Sequence, residues 1–204
     1  GTGRSGRADW PGSGADQHAD DAAALLTELR ARPATVLGLS SGGVVALAMV
    51  ARHPEAVSRV VAWEAPAVGV LPDGPAATAA IMEPVRAHLA ERPGDWLGAQ
   101  ALLLRMIIGV PVPVDDPAFA ATRANAESMV RDDPQITLRP FTAAELAGAA
   151  VTVAVGGEPN GLVAAAADTL VELTGTTPAV VPGAGHEVYL TDPAALARLV
   201  GPAA

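Results

Sequence analysis

Residues 34–55 read ATVLGLSSGGVVALAMVARHPE, and they place two hydroxyls between glycines at the point where an apolar strand gives way to an apolar helix. The run 34–39 is short and apolar, consistent with a buried strand. Residues 42–53 are rich in Ala, Val and Leu and end at His53-Pro54, which reads as a helix closed by a proline stop. Directly after it, VSRVVAW over 57–63 has the composition of a second strand.

The same alternation continues outward. VTVAV at 151–155 and TPAVVP at 177–182 read as two further strands. Helical segments follow at 161–173 and at 193–200, the latter behind an Asp192-Pro193 start. Upstream, a helix is expected from Asp16, with Ala22, Leu25, Leu26 and Leu29 on one face. Asp16, Asp20 and Asp21 near its start and Arg30 and Arg32 near its end suit the helix dipole, and Pro33 stops it. Residues 1–15 are Gly-, Ser-, Asp- and Pro-rich and read as a loop. Strand and helix alternating at this spacing predict an α/β fold, a parallel sheet of about four recognisable strands with right-handed crossovers. Between the second and third strands lie helical residues with several proline breaks, far longer than the four to six residues of an ordinary connection. Residues 72–148 are therefore expected to form an inserted helical lobe, with 1–71 and 149–204 as the core.

Composition narrows the function classes. Half of the 204 residues are hydrophobic and 17% are charged, which excludes a disordered or coiled-coil chain. The net charge is −9 with no basic stripe, so a phosphate backbone would be repelled and nucleic acid is not an expected partner. The most apolar long window, 96–114, is interrupted by Arg105, Pro111 and Pro113, so no membrane span is expected. The absence of cysteine removes disulfides and thiolate metal sites and fits a reducing, cytoplasmic setting.

In a parallel sheet, functional groups gather beyond the carboxyl ends of the strands. Ser40 sits there, and Gly38-Leu39-Ser40-Ser41-Gly42 fits G-x-S-x-G, the nucleophile elbow. Such a turn must lift one hydroxyl clear of the backbone, and small residues two before and two after let strand and helix approach. The amide of the following residue, Ser41, is then placed to bind an oxyanion at a helix N-terminus. The competing reading is an ordinary Gly/Ser-rich turn, and the strand-then-helix context favours the elbow. A serine needs a base. Of the four histidines, His53 suits a helix C-terminus, and His18 and His88 suit solvated helix positions. His186, in VVPGAGHEVYLTDPAAL, follows the last strand on the same sheet edge as Ser40, and the order Ser then His is right for this arrangement.

Taken together, the Ser40 elbow, ARHPEAVSRVVAWEAP after it and VVPGAGHEVYLTDPAAL near the end resemble the α/β-hydrolase family across almost the whole chain. The resemblance implies a catalytic triad in the order Ser, Asp or Glu, His, with 72–148 matching the family's variable cap. Two carboxylates qualify as the acid. Glu158, in VAVGGEPNG, follows the third strand, where family members usually carry an aspartate. Glu64 ends the second strand, a strand end that supplies the acid in haloalkane dehalogenases, which use an aspartate nucleophile where this chain has Ser40. Glu64 is preferred and Glu158 stays open; the structural explanations are a pair with an arginine such as Arg59 for the first and a solvated turn for the second.

The resemblance also implies that Gly1–Ser5 matches an early family loop and that the family's first strands lie upstream of it. Strand 34–39 would then be a sheet edge, and self-association through it is expected. The implied function is a cofactor-independent serine hydrolase acting on a small, largely apolar ester, thioester or lactone; the alternative is a truncated, non-catalytic remnant or ligand-binding protein. Residues 1–6 match G-x-G-x-x-G letter for letter, but a dinucleotide fingerprint requires a strand read directly before it, none is read here, and no dinucleotide site is expected. No histidine pair has metal spacing, and no cofactor or metal is expected. Met82, Trp96, Leu103, Met106 and Ile107 could line a pocket under the cap, although core packing explains them equally.

Overall fold

The computed structural model describes residues 14–201 apart from 110, 112, 118–119 and 121–122. The loop read over 1–15, with its glycine pattern, falls outside the described residues except for its last two positions.

Four strands form one parallel sheet in the order β1-β2-β3-β4, with β1 Ala34–Leu39, β2 Val57–Trp63, β3 Val151–Gly156 and β4 Ala179–Val181. The helices on its faces are α1 Ala15–Glu28, α2 Ser41–Arg52, α7 Gly161–Thr174, α8 Val188–Thr191 and α9 Pro193–Val200. Between β2 and β3 run α3 Gly74–Glu91, α4 Trp96–Ile108, α5 Ala126–Thr137 and α6 Ala143–Leu146. The α/β class and its four strands thus follow the pattern read from the sequence. Among the described residues β1 pairs on one side only, with β2.

Period-two alternation in the central strands divides the core. Val60 and Ala62 of β2 and Val151, Val153 and Val155 of β3 join one cluster with Leu47 of α2 and Leu170 of α7. Val61, Trp63 and Ala154 point to the other face, against Val188, Ala195 and Leu196. Where they are buried on both faces, at 60–63 and along most of 151–156, these strands are apolar apart from Thr152, whereas Ser58 and Arg59 at the start of β2 lie outside the buried stretch. A third cluster, Val85, Ala99, Leu103 and Val130, sits among α3, α4 and α5. Ile136, Phe141 and Leu146, from the end of α5 onward, pack instead with the sheet's main cluster.

The face of α1 differs from expectation. Ala15, Ala19 and Ala23 are its buried residues, with Ala22 and Leu26 partly buried, while Leu25 and Leu29 are exposed. Alanines at intervals of four let α1 lie close against α2, so the contact stripe follows small residues and the larger leucines turn outward. Its acidic residues serve tertiary ties: Asp20 accepts from Arg52 Nε and Nη2 at 2.8 and 2.7 Å and pairs with His53 at 2.7 Å, and Asp16 pairs with Arg139 at 2.8 Å. The Arg52 and His53 contacts hold the Asp20 carboxyl down at about 2. His88 also departs from a solvated role, since its side chain is largely buried and hydrogen-bonds Asp95 at 2.8 Å, the cap of α4.

Candidate active site

The carboxyl ends of β1, β2 and β3 bring Ser40, Glu64 and Gly156 to one edge of the sheet, and His186 reaches it from the loop after β4. Ser40 joins β1 to α2 with φ 52° and ψ −128°, a left-handed conformation that side chains rarely adopt. Holding it costs on the order of 1–3 kcal/mol, which the surroundings must supply. They do so through the backbone: Ser40 N–H donates to Trp63 C=O at 2.9 Å, and Ser40 C=O accepts from Gly43 N–H at 2.8 Å.

The glycines around it divide the steric work differently from the sequence reading. A Cβ on Gly38 would lie 2.3 Å from the Gly42 carbonyl oxygen, so no side chain fits there. A Cβ on Gly42 would meet nothing within 4 Å. The tight position after the serine is Gly43, where a Cβ would lie 2.7 Å from the Cβ of Ala65. The close approach is thus between the first turn of α2 and the loop after β2, one residue beyond the glycine that completes the motif.

Glu64 also has positive φ, 40°, and is buried. Its N–H continues the sheet pairing to Ala154 C=O at 2.8 Å. Its Oε1 accepts from Gly156 N–H at 2.9 Å, and its Oε2 lies 2.8 Å from His186 Nδ1. A Cβ on Gly156 would sit 3.0 Å from Glu64 Oε1 and 2.2 Å from the Ala184 carbonyl oxygen, so glycine is required there for both contacts. Trp63, fully buried, donates its indole N–H to His186 C=O at 3.1 Å and anchors the histidine loop to β2. Glu158 is exposed on the rim of a neighbouring recess that also touches His186, and its carboxylate makes no hydrogen bond to the ring. Arg59 is engaged elsewhere, with Val200 C=O and Thr152.

Ser40, Ser41 and His186 line a cleft of about 330 Å³. Its walls also include side chains that sequence reasoning did not place there: His18 from α1, Gln100 and Leu104 from α4, Ser128, Met129, Asp132 and Asp133 from α5, and Glu187 and Tyr189 after β4. His18 thus faces the cleft rather than bulk solvent. Burial pushes the Asp133 carboxyl up to about 6; the Ser41 hydroxyl, hydrogen-bonded to it, opposes that shift, and neighbouring Asp132 adds to it. Asp133 also borders a small apolar cavity lined by Met82, Leu103 and Ile107. Of the other residues read as pocket-forming, Trp96 packs against the helical cluster and Met106 is exposed. No group of three or more His, Cys, Asp or Glu able to hold a metal ion occurs among the described residues, and no described helix is long and apolar enough to cross a membrane.

A parallel sheet with a positive-φ serine at the strand-to-helix turn defines the alpha/beta hydrolase class. The profile of the Alpha/beta hydrolase family (Abhydrolase_6) matches residues 2–199, and the chain belongs to that family. Among solved structures, MGS-M2, an alpha/beta hydrolase enzyme from a Medee basin deep-sea metagenome library, is similar with a TM-score of 0.69 at 19% identity, over 97% of this chain and 74% of that one. A thermophilic esterase gives 0.65 at 22% identity, over 92% and 74%. Est816, an N-acyl homoserine lactone degrading enzyme, gives 0.63 at 21%, over 96% and 77%. These identities express a shared fold. No curated protein matches the chain.

Proposed function

We propose that the protein is a cofactor-independent serine hydrolase that cleaves a small ester, thioester or lactone. The observation that carries this reading is the 2.8 Å contact between Glu64 Oε2 and His186 Nδ1, in a cleft that also holds Ser40 at a strained turn. A carboxylate accepting from Nδ1–H fixes the tautomer that leaves Nε2 free to act as a base. Ser40 Oγ attacks the substrate carbonyl carbon as Nε2 takes its proton, and the carbonyl oxygen gathers negative charge. The Ser41 N–H, at the first turn of α2, is one of the helix's unpaired N-terminal donors and stabilises that oxyanion. The proton on Nε2 then passes to the leaving alkoxide or thiolate. Water, deprotonated by the same nitrogen, releases the acid from Ser40.

Residues 72–148 act as a cap in this reading. Gln100, Leu104, Ser128 and Met129 come from that segment and line the cleft that also holds Ser40, so substrate choice resides there. The solved esterase and lactone-degrading neighbours support the reading through their fold alone. The test is turnover of p-nitrophenyl butyrate. Ser40→Ala is expected to lose on the order of 10⁴-fold in kcat, the cost of removing a triad nucleophile. Retention of most of the activity would remove Ser40 from the mechanism.

A further inference from the structure

We propose that Gln100 is a specificity-determining residue of this cleft, and that the ester it selects carries a second, uncharged carbonyl oxygen besides the scissile one. The inference rests on the hydrolase reading above. Helix α4 reads WLGAQALLLRMII, and apart from the Trp96 indole and the exposed Arg105, Gln100 is its only polar side chain. Ala99 and Leu103 face the helical cluster, whereas Gln100 and Leu104, one turn apart on a single face, line the cleft that holds Ser40 and His186. Gln100 is only 5% exposed, so its amide is almost completely withdrawn from water.

The partner that this amide meets inside is a poor one. Gln100 Nε2–H donates to the Met129 sulfur at 3.1 Å, and a thioether is a weak acceptor. A buried amide is costly to hold without good acceptors, so an oxygen arriving in the cleft competes well with the sulfur. Met129 lines the same cleft, which places the exchange where substrate sits. An uncharged donor suits an uncharged acceptor, because a ketone or amide oxygen sheds its water at far lower cost than a carboxylate does. Leu39, Leu104 and Met129 supply apolar wall in the same cleft. A ligand that matches both features has a short aliphatic chain interrupted by a carbonyl, with Gln100 as the placed polar group that orients it.

The experiment pairs keto esters with hydrocarbon esters of matched shape. Methyl 4- and 5-oxohexanoate are compared with methyl 4- and 5-methylhexanoate, and 4-oxopentyl butanoate with 4-methylpentyl butanoate, so that the added oxygen lies in the acyl part or in the alcohol part. At least one keto ester should exceed its counterpart in kcat/KM by about three- to tenfold, the gain from one neutral hydrogen bond. Gln100→Leu, or the closer-shaped Gln100→Met should the first not fold, is expected to bring that ratio to about one. Met129→Leu removes only the weak acceptor and should keep or raise the ratio. A wild type without keto preference, or a preference that survives loss of the Gln100 amide, overturns the inference while leaving the hydrolase reading intact. So does an equal loss of preference in Met129→Leu, since Gln100 would then act only as a tie between α4 and α5. If no ester is cleaved, the hydrolase reading fails, and calorimetric binding of the same pairs to Ser40→Ala decides the inference separately. Tighter binding of a keto ester, abolished by adding Gln100→Leu, upholds it; equal binding or none overturns it.

Discussion

Glu64 and His186 are 122 residues apart, yet the Glu64 carboxylate and His186 Nδ1 meet at 2.8 Å where β2 ends. The second carboxylate oxygen is held by Gly156 N–H at 2.9 Å, so the side chain is fixed from two sides before it reaches the ring. Glu158, one strand end further along, is exposed and makes no such bond.

The two carboxylates therefore separate experimentally. Glu64→Gln should cut kcat by on the order of 10³- to 10⁴-fold with little change in KM, because an amide can stabilise the wrong imidazole tautomer. Glu158→Gln should stay within about twofold of wild type, as expected for an exposed residue outside the hydrogen-bonded pair. Steady-state kinetics on both variants check this, and the reverse ranking would transfer the role to Glu158.

The glycines of the elbow should respond unequally. Gly38→Ala drives a Cβ into backbone atoms and should destabilise the protein by about 3 kcal/mol or more. Gly43→Ala meets the Ala65 side chain at 2.7 Å and should cost about 1–3 kcal/mol. Gly42→Ala enters open space on a helix and should be neutral or stabilising by up to about 1 kcal/mol. Urea unfolding midpoints of the three variants read this ranking directly.

Much of this arrangement was legible in the residues. The short apolar runs at 57–63 and 151–155 read as strands and form the buried middle of the sheet, 34–39 reads the same way but is a half-buried edge strand of the described sheet, and the switch from strand to helix at Ser40 marked which end of the sheet mattered. Gly43 was missed because the motif's own spacing points to Gly42, and only the path of the loop carrying Ala65 reveals the tight contact. The outward turn of Leu25 and Leu29 was missed for a related reason: an alanine stripe is a weak hydrophobic signal, and close helix packing favours it over the leucines. The acidic wall of the cleft was hidden by distance, since α5 meets the elbow only through the tertiary fold. An Asp132-Asp133 pair on an amphipathic helix was the available hint.

Asp133 gives a pH signature. Its carboxyl is raised from 3.8 to about 6, chiefly by burial, so the folded state holds the proton more tightly than the unfolded chain. Stability contributed by this group is therefore present at low pH and is lost as pH rises through about 6, by at most about 3 kcal/mol. Asp133→Asn keeps an acceptor for the Ser41 hydroxyl without the buried charge. Its melting temperature should exceed wild type at neutral pH, with the gap closing toward about pH 4. A gap that widens on acidification would contradict the assignment.

The central claim is that Ser40 is an activated nucleophile, and covalent labelling tests it most directly. The protein is treated with a fluorophosphonate probe and the modified residue is located by peptide mass spectrometry. A single adduct on Ser40 is predicted, absent in Ser40→Ala, retained in Ser41→Ala and strongly slowed in Glu64→Gln. Labelling at Ser41 with Ser40 intact, or no adduct on a folded protein, would contradict the account.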